Sequence, residues 1–185
     1  MFQFLQNYPH ALEIIYDVFE RALIPFQRWL KPGSALEPAV IWIEKVGKGA
    51  VFDCRMCGQC ILHSTGMTCS MTCPKNLRNG PCGGVRTNGN CEVYPEKPCI
   101  WVQAFERSID MPKYGYELLA IQPPVNRQLE GTASWINLIH DIDDEMPDGW
   151  ESTEEIPIVT PEVEEEVRNT WTVDAWTVNS KQAAG

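Results

Sequence analysis

All eight cysteines of this 185-residue chain fall between positions 54 and 99. They are Cys54, Cys57, Cys60, Cys69, Cys73, Cys82, Cys91 and Cys99. Six of them lie in one stretch, CRMCGQCILHSTGMTCSMTCPKNLRNGPCGG, from Cys54 to Gly84. The surrounding sequence is rich in Gly, Pro, Asn and Thr. It holds too few large apolar side chains to fold around a core of its own, so a bound metal centre would supply the missing cohesion.

Thiols at this density form disulfides, bind zinc or hold an iron–sulfur cluster. The N-terminal stretch MFQFLQNYPHALEIIYDVFER has no basic leader, and acidic residues interrupt its apolar run. It reads as no secretory signal, and no apolar run reaches the length of a bilayer span. The expected setting is the cytoplasm, with no membrane contact, where thiols stay reduced and disulfides are rare.

The spacing then separates the two metals. Cys54, Cys57 and Cys60 give C-x2-C-x2-C, and Cys69, Cys73 and Pro74 give C-x3-C-P. These are the two halves of the bacterial ferredoxin pattern, set apart by a longer insert. Structural zinc more often uses two separate CxxC knuckles, and the overlapping triplet favours iron and sulfide. Eight ligands suffice for two centres, and zinc stays open for a second four-cysteine set. All eight cysteines are candidate metal and cofactor ligands. His63 lies in the segment but reads as an ordinary polar neighbour. The stretch NGPCGG brings Cys82 in on a turn where glycines let backbone amides approach sulfur.

Charge is unevenly spread along the chain. Residues 1–110 carry 11 Lys and Arg against 10 Asp and Glu, while residues 111–185 carry 4 against 15. Within residues 54–99, five bases (Arg55, Lys75, Arg78, Arg86 and Lys97) face two acids, Glu92 and Glu96. They suit an anionic thiolate cage, and equally read as a few solvated bases. An acidic chain without a basic stripe argues against nucleic acid.

The expected fold is small α+β, mainly helical elements around the loop-rich cysteine segment, with a disordered acidic C-terminal tail. Four parts are expected: N-terminal helices at 1–48, the cysteine segment at 49–110, a further folded part at 111–140, and the tail at 141–185. Leu12, Ile15, Phe19, Leu23, Phe26 and Leu30 form an apolar helical stripe over residues 9–30, kinked or broken at Pro25. Residues 37–46 are expected as a second helix, with Gly47 as its cap. Asn88-Gly89 signals a type I′ hairpin that places Cys91 on the returning strand. Residues 98–110 and a short stretch from Ser134 to Ile139 read as helix. In the tail, Trp-Thr-Val recurs at Trp171 and Trp176, as a docking motif or as a patch that packs back on the domain.

CRMCGQCIL, CPKNLRNGPCGG, CEVYPEKPCIW, QPP and GTASWINLI together resemble the methylenetetrahydrofolate reductase C-terminal domain, over roughly residues 5–140. That domain also occurs as a separate, MetV-like iron–sulfur small subunit. The sequence departs from the pattern at Ser70, where a proline is expected after Cys69. The resemblance implies one or two [4Fe-4S] clusters on the eight cysteines. It also implies a partner, a flavin-containing methylenetetrahydrofolate reductase catalytic subunit, which would bear the FMN. The chain lacks a catalytic triad, a phosphate loop and room for a nucleotide-binding domain. It is expected to be a non-catalytic electron-transfer or assembly subunit in one-carbon metabolism. The rival reading is a zinc-stabilised scaffold that recruits a C1-transfer enzyme without redox function.

Overall fold

The computed structural model describes residues 2–143 and residue 145. The rest of the acidic tail, with Trp171 and Trp176, lies outside the described residues. Four α-helices carry the fold: α1 (Pro9–Leu23), α2 (Glu37–Phe52), α3 (Ile100–Ser108) and α4 (Ser134–Ile139). Short 3-10 turns and loops connect them.

The helix ends have local causes. Pro9 and Pro38 occupy the first turns of α1 and α2, where an N–H would have no partner anyway. α1 stops ahead of Pro25, and the chain continues as a 3-10 turn over Ile24–Phe26. α2 runs past Gly47, the expected cap, as far as Phe52. A helical glycine costs about 1 kcal/mol relative to alanine. Here the next turn carries Lys48, which is buried beside Glu44. Asp53 closes the helix in the left-handed region (φ 52°), with its N–H on the Gly49 carbonyl. α3 and α4 fall within or on the spans expected for them.

The described residues contain no β-strand, so the fold is helical and the β part of the expectation is corrected. A single isolated bridge joins Asn90 and Pro98. The turn at Asn88-Gly89 also differs from the type I′ form, because only Gly89 takes positive φ (80°). Gly89 N–H bonds to the Arg86 carbonyl, and Arg86 N–H bonds to the Asn90 carbonyl. Cys91 does not return along its own hairpin. It pairs onward, with its N–H on the Lys97 carbonyl at 2.9 Å, while Cys99 N–H reaches the Gly89 carbonyl at 2.9 Å. Prolines at 95 and 98 remove the donors that would extend this ladder into a strand.

Two apolar clusters form the core. One joins Leu62, Met67 and Met111, with Leu12, Tyr16 and Phe52 packed around it. The other joins Cys99, Trp101 and Ala104. The cysteine segment therefore contributes Leu62 and Met67 to a core shared with later residues. Gly66 makes the close approach possible. It has φ 59°, and a Cβ there would collide with the Ala104 carbonyl of α3.

The α1 stripe is only partly covered. Leu12, Leu23 and Leu30 are half-buried, but Ile15, Phe19 and Phe26 are exposed. The buried residues of α1 are instead Pro9 and Glu13, the latter at 2% exposure. Its carboxylate accepts the backbone N–H groups of Lys113 and Tyr114 at 2.9 and 2.7 Å. One turn on, Asp17 accepts from Lys113 Nζ and the Tyr114 hydroxyl. These five hydrogen bonds fasten α1 to the loop after α3.

Burial alone would raise the Asp17 pKa, but the hydrogen bonds from Lys113 and Tyr114 hold it below the usual value. A carboxylate depressed in the folded state stabilises the fold above its unfolded pKa of about 4 and loses that effect as pH falls through the folded value. Asp17→Asn is therefore expected to lower urea stability at neutral pH. Its deficit against the parent chain should vanish as the pH drops below 4. A deficit that persists unchanged at pH 3 would contradict this.

Candidate metal centre

The loop from Cys54 to Cys60 starts one residue after α2 ends and folds into a tight arch. Met56 (φ 51°) and Gly58 (φ 77°) both take the left-handed region. A Cβ on Gly58 would collide with Leu129, so the arch lies directly against residues 127–129. Outside residues hold its backbone. Gly131 N–H bonds to the Met56 carbonyl at 2.8 Å, and Asn137 Nδ2 to the Gly58 carbonyl at 2.9 Å. The buried Gln59 side chain accepts from Asn126 N–H and donates to the Asp143 carbonyl, both at 2.7 Å.

Cys54, Cys57, Cys60 and Cys69 line one small cavity of about 20 Å³, together with Glu44, Met71 and Ser134. Backbone contacts reach the sulfurs: Met56 N–H lies 3.3 Å from Cys54 Sγ, and Cys57 Sγ donates to the Gln59 carbonyl at 3.3 Å. Burial pushes the Cys54 thiol up to about 11 and Cys69 up to about 12, with neighbouring thiols adding to both. Cys57 is raised by burial and by Cys60. Thiols shifted this way hold little thiolate at neutral pH and make poor nucleophiles. They suit metal ligation, where the ion displaces the protons.

Cys73, Cys82, Cys91 and Cys99 line a second, open cavity of about 530 Å³. Cys69 lines this one too, but its electrostatic partners are Cys54 and Cys60. The backbone pairing of residues 89–91 with 97–99 brings Cys91 and Cys99 to the same cavity. Cys82 is the exposed member, 3.5 Å from Glu92, which also pairs with Lys75. All eight thiols are free, so the disulfide reading falls.

Among the described residues, no three His, Cys, Asp or Glu side chains close on a point that would hold one ion. The donor sets fit metal in number and kind. Seating a group wider than one atom in the first set requires its thiols to spread. His63 belongs to neither cavity. It pairs with Glu117 and Ser64 and stacks near Tyr16 and Tyr114, as an ordinary polar neighbour.

The sequence reading missed two charged groups here and left a third undistinguished. Glu44 and Lys48, one turn apart on α2, are buried and bonded at 2.7 Å, and both bond to Ser134 Oγ. Burial works against the Lys48 charge, but Cys60 and Glu44 raise its pKa above the usual lysine value. The available signal was two opposite charges at i,i+4, Glu44 and Lys48, in the largely apolar stretch VIWIEKVGK. The third is Arg78. Of the five bases counted in the cysteine segment, it alone is buried.

An apolar groove of about 380 Å³ runs beside the first thiol set. α1 supplies Ile15 and Phe19, α2 supplies Val40 and Ile43, and α4 supplies Trp135 and Ile139. Glu44 and Leu62 line both the groove and the first cavity.

The geometry defines a helical, thiol-rich module whose cysteines line two cavities. Residues 34–128 match the family described as the methylene-tetrahydrofolate reductase C terminal. The match takes in all eight cysteines with α2 and α3, just over half the chain, and the chain belongs to this family. No curated protein matches the chain, and no solved structure does. Among the described residues, no helix is long and apolar enough to cross a membrane.

Removing one partner of a buried ion pair strands the other charge and costs about 3–5 kcal/mol. Lys48→Met is expected to lose stability on that scale in urea unfolding. The double change Glu44→Leu with Lys48→Met should recover most of the loss. Equal losses in the single and double variants would show that the pair is not coupled.

Proposed function

We propose that this chain is a non-catalytic iron–sulfur subunit, of the MetV-like kind, in a methylenetetrahydrofolate reductase-type complex of one-carbon metabolism. The observation that carries this reading is the gathering of eight free thiols around two cavities, inside a family named for that reductase. Cys54, Cys57, Cys60 and Cys69 would hold one [4Fe-4S] cluster, and Cys73, Cys82, Cys91 and Cys99 the second. Such a cluster, when bound, supplies reversible one-electron transfer. The chain's own residues position the thiols, partly bury the first set and direct backbone N–H groups at sulfur. FMN would belong to the catalytic partner. The raised thiol pKa values fit this division of labour, since they favour ligation over covalent catalysis.

The flavin-containing catalytic subunit would dock on the apolar groove. The support is position, because Glu44 and Leu62 line both the groove and the first thiol cavity. Ile15 and Ile43 stand 61% and 57% exposed along it, more apolar surface than a lone domain needs.

The zinc-scaffold reading keeps one observation in its favour, the 20 Å³ enclosed by the first set, which is closer to one ion than to a cluster. Metal analysis decides between them. Anaerobically purified protein should contain iron and acid-labile sulfide and absorb broadly near roughly 400 nm, in the iron–thiolate charge-transfer region. Colourless protein with stoichiometric zinc would establish the scaffold instead. Cys57→Ser should lose about half the iron and sulfide and keep the rest; full retention would remove Cys57 from the ligand set.

Ile43→Glu tests the docking face. It should keep the iron content of the parent chain and lose co-purification with a flavin-bearing subunit from the native host. A variant that still brings the flavin protein down would place the partner elsewhere.

A further inference from the structure

We propose that Arg78 is the built-in counter-ion of the first thiol set. Its guanidinium answers the negative charge on Cys57 and Cys60 and thereby sets the reduction potential of the cluster held there. The inference rests on the iron–sulfur reading above.

Arg78 is 8% exposed, whereas Arg55, Lys75, Arg86 and Lys97 are all exposed. Its Nη1 donates to the Gln59 carbonyl at 3.3 Å, the same oxygen that Cys57 Sγ approaches at 3.3 Å. Guanidinium and thiol therefore share one anchor inside the Cys57–Cys60 loop. Its Nε is buried without a hydrogen-bond partner among the described residues. Among those residues, no carboxylate forms an ion pair with it. Burial disfavours the charge, and Cys57 and Cys60 oppose that effect more strongly than Asp143 does.

An uncompensated buried cation is expensive, and a fold keeps one where an anion faces it. The other buried cation near this set is already answered, because Glu44 neutralises Lys48. Arg78 thus supplies the net positive charge at the first set. A fixed positive charge in a low-dielectric site stabilises the reduced, more negative state of a cluster and raises its potential. Arginine keeps its charge throughout, so the effect does not depend on its titration.

The test is an EPR-monitored redox titration of the full chain, with the second set as internal reference. Arg78→Met should shift the first cluster to a more negative midpoint potential and leave the second unchanged, with Arg78→Lys restoring most of the difference. An unchanged midpoint in a fully loaded Arg78→Met chain would overturn the inference and leave the iron–sulfur reading intact. If Arg78→Met fails to load the first set, Arg78→Lys decides: loading restored by lysine supports the charge role, and loading absent in both variants overturns it in favour of packing. A parent chain without iron and sulfide would overturn both the inference and the reading beneath it.

Discussion

A loop that presents three thiols in seven residues cannot also carry the apolar side chains that would hold it in place. Its backbone has to be fastened from outside, and the rest of the fold is arranged around that need. Gly131, Asn137, Asn126 and Asp143 all engage the arch between Met56 and Gln59 through hydrogen bonds of 2.7–2.9 Å. Each satisfies a polar group that burial would otherwise leave unpaired. The residues after α3 therefore act as a clasp on a site that lies far earlier in the sequence. The family match ends at residue 128, so most of the clasp falls beyond the matched span.

Buried charge is the second organising constraint. Glu13, Glu44, Lys48 and Arg78 are each at most 8% exposed in a chain whose net charge is −10. Glu13 receives two backbone donors, and Glu44 and Lys48 answer each other across one helical turn. Paired buried charges of this kind fix a particular arrangement of helices, because a shifted register would strand an ion. The apolar clusters around Met67 and Trp101 supply driving force, and the charged contacts supply the orientation of α1 and α2 relative to the thiols.

Much of the architecture was legible from local chemistry. Pro25 ended α1, Pro38 opened α2, and Ser134 to Ile139 formed the helix its pattern implied. The elements that misled were those decided by non-local contacts. The Asn88-Gly89 turn formed, but Pro95 and Pro98 kept its flanks from becoming strands. The α1 stripe looked like core, yet Ile15 and Phe19 line an open groove, since periodicity reveals a face without revealing what covers it. At the site, the cysteines were visible from spacing, but their grouping was not. The assignment of Cys69 with the first three depends on the turn at Gly66, and the pairing of Cys91 with Cys99 on one backbone bridge. Arg78 was counted as one base among five, and only its burial sets it apart.

The end of α2 has a mechanical meaning. One flank of this helix walls the groove through Val40, Ile43 and Gly47, and its axis runs directly into Asp53 and then Cys54. Only Asp53, in the left-handed region, separates the rod from the first cysteine. A push on the wall travels along a stiff lever and arrives at a thiol, so anything that grips this flank also has a hand on the first cysteine cavity.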